Sequence, residues 1–488
     1  MVHGPPALVA QRADSQIIGH SLMRWAERSR QAVWHPCTQM KVHERFPPRA
    51  IVAAEGPWLI DDQGHRILDA VSSWWVNLFG HNFGPIREAI TDQLGKLDHI
   101  MLAGLTHPPV VELSERLASL TGLGHAFYAS DGASATEIAL KMSAHSWRNR
   151  GQPEKNQFIG LQGGYHGETA GALSVTDIPL FREAYAPLLR LSATLPSPDP
   201  RHAAPGVSAE AHTQAAIDAL AAYLAEHHQR TAALILEPLV QGAAGMAMYA
   251  PDYLVAVREL CDRYAVHWIA DEIAVGFGRT GTLFAHQQAR RADGTGVKPD
   301  FICLSKGLTG GVLPLSAVLT TDAVYAAFYD DRTAHGFLHS HSYTGNPLAC
   351  RAALAVLDTF AARDAEGRDV LSRNRLAAER FTALTAPLRV HPCVKAARHL
   401  GMIWAWDIDT DEPTFAARYH RAALEAGLLL RPIGATLYVM PPYVLTEDDQ
   451  RVLADGLVRV LDQVLAEIDA LPAAVPNGVP RADASRMA

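Results

Sequence analysis

Five short apolar segments in the middle of the chain constrain its fold more than any other feature. Each has three to five residues; they are residues 126–129, 158–160, 233–236, 266–270 and 301–304. Helix-length amphipathic segments, such as 213–227 and 252–264, separate several of them. Short apolar strands that alternate with helices are typical of a mainly parallel sheet with helices on both faces. We therefore expect an α/β fold across about residues 80–360.

The two ends of the chain show a different pattern. Residues 55–68 predict a β-hairpin, and after about residue 365 helices alternate with short strands. We expect both ends to pair into a smaller α+β domain. The predicted division is an N-terminal part at 1–80, a large domain at 81–364 and a C-terminal part at 365–488. Residues 196–208, rich in Pro, Ala and Ser, predict a surface insertion.

Composition and charge restrict the function. The 488 residues are 48% hydrophobic and 19% charged, as in an ordinary folded, soluble protein. A formal net charge of −8 gives no general attraction to nucleic acid or to an anionic membrane. No apolar run approaches the roughly 18 residues of a membrane span, and residues 1–16 lack the basic start of a signal peptide. We expect a cytoplasmic protein that binds neither nucleic acid nor membrane.

Several common catalytic and metal motifs are missing from the sequence. The five cysteines are scattered and form no C-x-x-C pair, which disfavours a disulfide framework or a cysteine-rich zinc site. The 23 histidines form no H-E-x-x-H motif, and neither G-x-S-x-G nor G-x-x-x-x-G-K-[ST] occurs. We therefore expect no metal centre, no hydrolase nucleophile elbow and no P-loop.

Three polar residues with reactive side chains end or follow predicted strands within two residues. They are Glu237, Asp271 and Lys306. In an open parallel sheet, ligands bind at the carboxyl ends of the strands, so these side chains are candidates for chemistry. A partly desolvated lysine at such a position is a candidate nucleophile. The alternative is a solvated loop lysine, and position alone does not decide between the two.

A second candidate lies in the string S-D-G-A-S at 130–134, which follows a predicted strand and opens a helix. A turn at a helix N-terminus presents free N–H groups and the positive end of the helix dipole, so Gly132 and Ala133 are candidates for binding phosphate. Ser134 and Glu137 fit a capping box. A helix that is merely capped is the alternative.

The string at 276–281 matches the G-x-G-x-x-G of dinucleotide-binding folds. In those folds a helix begins at once within a compact βαβ unit. Residues 282–286 do not predict such a helix. We therefore disfavour a nicotinamide site.

Several of these motifs occur together in one known family. The strings D-E at 271–272, G-x-G-x-x-G at 276–281 and S-K-G at 305–307 follow one another as in the class III aminotransferases. The chain resembles that family from W-H-P at 34–36 to M-P-P-Y at 440–443. The resemblance implies a fold-type I enzyme that uses pyridoxal 5′-phosphate.

The resemblance assigns roles around this cofactor. Lys306 would bond to it covalently and move a proton at the substrate carbon. Asp271 would keep the pyridine nitrogen protonated, and Tyr165 would lie against the ring.

It also assigns the phosphate contacts. Gly132 and Ala133 match the phosphate turn, and Ser342 matches a position that reaches the phosphate from the other subunit. A homodimer with active sites at the subunit interface is therefore implied.

Strings such as S-S-W-W at 72–75 and R-P at 431–432 resemble one biosynthetic subgroup of the family. Trp74 and Trp75 would form apolar walls for a long aliphatic substrate, although either could be a core aromatic. Arg431 would bind the carboxylate of a keto acid, and Arg279 would be a second active-site cation. The implied reaction transfers an amino group from S-adenosylmethionine to 8-amino-7-oxononanoate in biotin biosynthesis.

Three residues depart from the family pattern. Ala133 stands where Ser is frequent, and Glu168 stands where Asp also occurs. Cys37 stands where a Tyr usually follows W-H-P, which removes a phenol from the amino-donor site. The identity of the donor therefore stays open, and an ω-amino-acid:pyruvate aminotransferase is the alternative of the same class. A catalytically silent relative or an NAD-dependent oxidoreductase is disfavoured, because the chain has both Lys306 and Asp271.

Overall fold

The computed structural model describes residues 24–470, so residues 1–16, for which no signal peptide is expected, lie outside the described part. The strands, numbered in chain order, are β1 Ile51–Glu55, β2 Trp58–Asp61, β3 Arg66–Asp69, β4 His125–Ala129, β5 Gln157–Leu161, β6 Ala193–Leu195, β7 Thr231–Leu236, β8 Val240–Gln241, β9 Ala247–Met248, β10 His267–Asp271, β11 Phe301–Leu304, β12 Ser316–Thr320, β13 Val394–Leu400, β14 Ile403–Ile408, β15 Leu428–Leu429 and β16 Thr436–Val439.

The largest sheet has seven strands in the order β4-β12-β11-β10-β7-β5-β6. All neighbours from β11 to β6 run parallel, whereas β12 is antiparallel to both of its neighbours. The five strands predicted from apolar segments are β4, β5, β7, β10 and β11, so the mainly parallel sheet is confirmed. The apolar segments do not identify β6 and β12.

Side chains of this sheet alternate between two apolar layers. Along β11, Phe301 and Cys303 pack with one buried cluster, while Ile302 and Leu304 pack with another. The first cluster includes residues of the helix Gly132–Asn149, and the second includes residues of Asp252–Tyr264 and Pro347–Ala361. Because successive side chains of a strand point to opposite faces, the sheet has helices on both faces, as expected.

The α-helices of the described part are Trp25–Ala32, Ser72–Trp75, Gly84–Leu94, Pro108–Thr121, Gly132–Asn149, Ala170–Val175, Pro179–Arg182, Ala209–His227, Asp252–Tyr264, Asp322–Ala326, Pro347–Ala361, Val370–Leu384, Ala386–Arg389, Phe415–Glu425 and Glu447–Asp469. Short 3₁₀ helices are Met40–Glu44, Glu183–Leu188, Pro200–His202, Ala285–Gln288, Lys306–Thr309 and Thr333–His335. Within residues 24–470, no helix combines the length and the apolar character that crossing a membrane requires.

Both ends of the described chain contribute to one small sheet. The predicted hairpin is formed by β2 and β3, and β1 and β15 complete the order β1-β2-β3-β15. The strand β15 runs parallel to β3, with Leu428 opposite Leu68. A three-stranded sheet, β13-β14-β16, lies beside it in the C-terminal part. The domain limits at residues 80 and 364 stay a prediction.

The prediction of a surface insertion at 196–208 is wrong for its first half. Ser197 and Asp199 are buried, whereas residues 204–208 are exposed. The reason is that Arg201, which binds the nearby Asp199 carboxylate at 2.7 Å, also lies 3.4 Å from the distant Asp407. The segment therefore packs against the C-terminal part of the chain.

Candidate active site

Three neighbouring strands of the large sheet end at polar residues. Glu237 follows β7, Asp271 ends β10, and Lys306 lies two residues after β11. These strands are parallel and adjacent, so their carboxyl ends meet at one edge of the sheet. Glu237 and Asp271 are buried, and Lys306 is half-buried.

The Asp271 carboxylate is held by a histidine that the sequence analysis assigned no role. His166 Nδ1 lies 2.7 Å from Asp271 Oδ2, and the backbone N–H of Ile273 donates to Oδ1 at 3.1 Å. The other ring nitrogen of His166, Nε2, is buried and has no hydrogen-bond partner among the described residues. The carboxylate is therefore fixed in orientation, and the only sequence signal for His166 is its place beside Tyr165.

Glu237 anchors the loop that carries Tyr165. Its carboxylate accepts hydrogen bonds from the backbone N–H of Tyr165 at 3.0 Å and of Gly242 at 2.9 Å. Burial raises the pKa of Glu237 to about 7; His166 opposes this shift and Asp271 adds to it. The Tyr165 hydroxyl donates to Glu168 at 2.9 Å, and burial with that nearby carboxylate raises the pKa of Tyr165.

The surroundings of the Lys306 amine favour its neutral form. Its Nζ lies 4.5 Å from the centroid of the Trp75 ring, and it has no hydrogen-bond partner in the described part of the chain. Burial lowers the pKa of Lys306 to about 8, while the carboxylates of Asp271 and Glu237 oppose this shift. Desolvation therefore increases the fraction of neutral, nucleophilic amine.

Trp74 and Trp75 belong to a left-handed turn. The φ angles of Ser72, Ser73, Trp74 and Trp75 are 52°, 47°, 72° and 72°. This backbone costs L-residues about 1–2 kcal/mol each, and none of the four is glycine. The turn exposes 46% of Trp74 and leaves only 6% of Trp75 exposed, with Trp75 Nε1 donating to the Tyr438 hydroxyl at 3.1 Å. The surrounding structure must hold the turn.

Arg279, expected as a second active-site cation, lies buried beneath that turn. Its Nη atoms donate to the backbone carbonyls of Asn77 at 2.9 Å and Pro441 at 2.8 Å. Its carbon Cζ lies 5.1 Å from the centroid of the Tyr443 ring, and its Nε is buried without a partner in the described residues. Burial lowers the pKa of Arg279. The observed contacts support the turn, and a contact with substrate stays a prediction.

The glycine motif that carries Arg279 forms turns, and no α-helix opens after it. A short 3₁₀ helix, Ala285–Gln288, follows instead. The α-helix that a dinucleotide-binding motif requires at this point is therefore missing, as expected from residues 282–286.

Arg431 and Cys37 meet at the mouth of the site. Arg431 Nη2 donates to the backbone carbonyl of Cys37 at 3.1 Å, and Arg431 Cζ lies 5.3 Å from the centroid of the Trp74 ring. Burial raises the pKa of the Cys37 thiol, and Glu168 adds to the shift. The structure thus brings together the predicted carboxylate-binding arginine and the predicted donor-site residues.

The helix Gly132–Asn149 begins where the phosphate turn was expected, but its cap differs from the prediction. Asp131 is the N-cap and accepts from the backbone N–H of Ser134 at 2.9 Å. Glu137, predicted to close a capping box, instead accepts from the backbone N–H of Gly171 at 2.6 Å. The capping-box prediction is wrong because Asp131 precedes the first free N–H groups and takes their place as cap.

Gly132 and Ala133 form the first turn of this helix, where N–H groups have no intrahelical acceptor. A Cβ atom on Gly132 would lie 3.0 Å from the Ile273 side chain, so the turn is tightly enclosed. Ser342 is exposed, and its neighbour His341 places Nε2 2.9 Å from the Ser130 hydroxyl. The role of Ser342 in a partner's site stays a prediction.

The chain belongs to the class III aminotransferases, because the family model described as "Aminotransferase class-III" matches residues 39–461. The adenosylmethionine-8-amino-7-oxononanoate aminotransferase of Helicobacter pylori is 42% identical over 440 residues, which cover 88% of this chain and 96% of that protein. A solved structure of an enzyme with the same name, from Methanocaldococcus jannaschii, is 33% identical with a TM-score of 0.82 and covers 92% of this chain and 99% of its own. An ω-transaminase of Pseudomonas jessenii, solved in complex with PMP, is 26% identical with a TM-score of 0.85 and covers 92% and 99%. The expected family and fold are confirmed.

The family uses pyridoxal 5′-phosphate, and the residues of this site fit that group. The first turn at Gly132 offers free N–H groups to a phosphate. Within residues 24–470 the amine of Lys306 makes no hydrogen bond and lies against the Trp75 ring. Asp271 is a buried carboxylate with a fixed orientation. No cluster of three or more His, Cys, Asp or Glu side chains that could hold a metal ion occurs in residues 24–470.

We expect Lys306 to lose its proton near pH 8. Only the neutral amine attacks a carbonyl, so the rate of covalent attachment of pyridoxal phosphate to apoprotein should rise with pH and level off above that midpoint. Stopped-flow absorbance across about pH 6 to 10 measures this. Lys306→Ala should bind the cofactor through phosphate contacts without the covalent step. A midpoint near that of an exposed lysine would contradict the prediction.

Asp271→Asn keeps the shape of the side chain and removes its charge, so we expect turnover to fall about 10²–10³-fold with a small change in thermal stability. Glu272→Gln is the matched control. Glu272 faces away from the site, where it accepts from the backbone N–H groups of Ala285 and His286 at 2.8 Å each. Its substitution should lower the unfolding temperature and affect turnover less. Near-native turnover of Asp271→Asn would refute the role.

Proposed function

We propose that this enzyme transfers the amino group of S-adenosylmethionine to 8-amino-7-oxononanoate, a step of biotin biosynthesis. The observation that carries the proposal is the arrangement of four side chains: Trp75 lies beside Lys306, and Trp74 lies beneath Arg431. A planar guanidinium matches a carboxylate at one end of the substrate, and the indole rings match an aliphatic chain between that carboxylate and the reacting carbon. The names of the Helicobacter pylori and Methanocaldococcus jannaschii relatives support the same substrate.

The chemistry follows from the positions of the side chains. Pyridoxal phosphate, when bound, supplies an electron sink for the electron pair released at the substrate carbon. Lys306 takes the proton from that carbon and returns one, which its lowered pKa favours near neutral pH. Asp271, oriented by His166, keeps a positive charge on the ring nitrogen. Arg431 binds the carboxylate of the keto acid, and the buried Trp75 excludes water beside Lys306.

We also propose a homodimer in which Ser342 contacts the phosphate of the other subunit. In the single chain Ser342 is exposed, and its loop exposes 77% of Leu338 and 61% of Tyr343. Large apolar side chains exposed around a polar contact residue are typical of a protein interface. The cytoplasmic location stays a prediction.

The alternative is an ω-amino-acid:pyruvate aminotransferase. The TM-score of 0.85 to the Pseudomonas jessenii ω-transaminase favours it as a second candidate. Acceptor choice separates the two, because pyruvate has no aliphatic chain to fill the space along Trp74 and Trp75.

A half-reaction panel tests the proposed function. The pyridoxal form is mixed separately with S-adenosylmethionine, lysine and ω-amines while the cofactor absorbance is followed, and 8-amino-7-oxononanoate or pyruvate is then added. We expect S-adenosylmethionine to convert the cofactor and 8-amino-7-oxononanoate, but not pyruvate, to restore it. Restoration by pyruvate after an ω-amine, with no response to 8-amino-7-oxononanoate, would support the alternative.

The rate of the amino-donor half-reaction should depend on the side chain at position 37. A thiol is a weaker hydrogen-bond donor than a phenol, so Cys37→Tyr should keep or raise the rate with S-adenosylmethionine. The keto-acid half should change less, because Arg431 binds the backbone carbonyl of Cys37, which the substitution retains. Single-turnover rates of both halves measure this. Equal insensitivity of both to Cys37→Ala and Cys37→Tyr would remove Cys37 from the donor site.

A further inference from the structure

The side chain that holds the Ser72–Trp75 turn is a buried carboxylate at the end of β3. Asp69 Oδ1 accepts from the backbone N–H of Ser73 at 2.9 Å, and Oδ2 accepts from the Ser73 hydroxyl at 2.8 Å. His81 Nε2 lies 3.0 Å from the same Oδ2. Asp69 is 0% exposed, so water does not compete for these hydrogen bonds. The carboxylate thus binds both hydrogen-bond donors of Ser73, a residue inside the left-handed turn.

Asp69 also adjoins the segment that leads to Arg431. It lies opposite Leu429 in the parallel pairing of β3 with β15, and Arg431 follows two residues later. The strand that carries Asp69 therefore fixes the start of the arginine segment, while the carboxylate fixes the tryptophan turn. Both sides of the space between Lys306 and Arg431 depend on this one position.

We infer that Asp69 is a specificity-determining positioning residue. By holding the left-handed turn, it places Trp75 beside Lys306 and Trp74 beneath Arg431, and this placement selects a long aliphatic keto acid as the amino acceptor. The choice of that acceptor rests on the proposed function; the control of the turn by Asp69 does not.

The chain offers a matched control in Asp61. This aspartate is also buried, at 3% exposure, and lies in β2 beside β3. Its carboxylate accepts from the backbone N–H groups of Gln63 at 3.0 Å and His65 at 2.8 Å, and it lies 3.0 Å from the ring of His65. It holds the hairpin turn, away from the tryptophans. Asp61→Asn therefore reports what loss of a buried, turn-binding carboxylate does to stability alone.

The test compares Asp69→Asn with Asp61→Asn in the holoenzyme. The amide nitrogen cannot accept from Ser73, so Asp69→Asn should lower kcat/KM for 8-amino-7-oxononanoate by about tenfold or more, mainly through KM. The rate of the amino-donor half-reaction should change by less than about threefold. Near-UV circular dichroism of the protein without substrate should change in Asp69→Asn only, because the tryptophan rings move. Asp61→Asn should alter neither signal.

A second substitution that restores the turn distinguishes control of the turn by Asp69 from general destabilisation of the protein. Glycine adopts positive φ without penalty, so adding Ser73→Gly to Asp69→Asn should restore most of the lost kcat/KM and the near-UV signal. Equal kinetic effects of the two aspartate variants, equal losses in both half-reactions, or failure of the rescue would overturn the inference. If the wild type rejects 8-amino-7-oxononanoate, the proposed function fails. The near-UV comparison and its rescue then decide the role of Asp69 separately.

Discussion

Buried carboxylates at the ends of the central strands hold the loops that form the site. Glu237, Asp271 and Glu272 are at most 4% exposed. A buried charge costs several kcal/mol unless hydrogen bonds compensate it, so each carboxylate fixes the position of its donors. Those donors are His166 and the backbone N–H groups of Tyr165, Gly242, Ile273, Ala285 and His286. These hydrogen bonds hold the loops after β5, β7 and β10 against the sheet edge. The side chains on these loops are therefore held in fixed positions.

The C-terminal part of the chain is hydrogen-bonded to the segment around the Ser72–Trp75 turn. The Ser72 hydroxyl donates to the carbonyl of Met440 at 2.7 Å, and the N–H of Met440 donates to the carbonyl of Ala70 at 3.0 Å. Arg398 adds a second connection, since it binds Asp407 at 2.8 Å and donates to the carbonyl of Met246 at 2.7 Å. These contacts fix the C-terminal part of the chain against the segment that leads into the Ser72–Trp75 turn.

The sequence predicts those features of the fold and site that are set locally. Apolar segments identify five strands of the large sheet, and the ends of two of these strands place Asp271 and Lys306 at one edge of it. It does not reveal the role of His166, because that role depends on a contact with a residue 105 positions away. The sequence likewise does not predict the role of Asp69, because nothing in S-S-W-W indicates a left-handed backbone. The capping-box error has the same origin: Glu137 finds its partner across the fold, not within its own helix.

The adjacent acidic residues at 271–272 show how one strand end serves two purposes. Successive side chains of a strand point to opposite faces. Asp271 shares a face with Ile269, which packs in the cluster containing the phosphate-turn helix, whereas Glu272 shares a face with Ala270, in the cluster containing Phe284. One carboxylate therefore lies on the sheet face covered by the helix Gly132–Asn149, and the other binds the loop at Ala285 and His286. Exchange of the two acidic residues would leave the composition unchanged, yet the longer glutamate would no longer match the 2.7 Å contact with His166. The order of the pair is thus fixed by the pleat of β10 and by the length of each side chain.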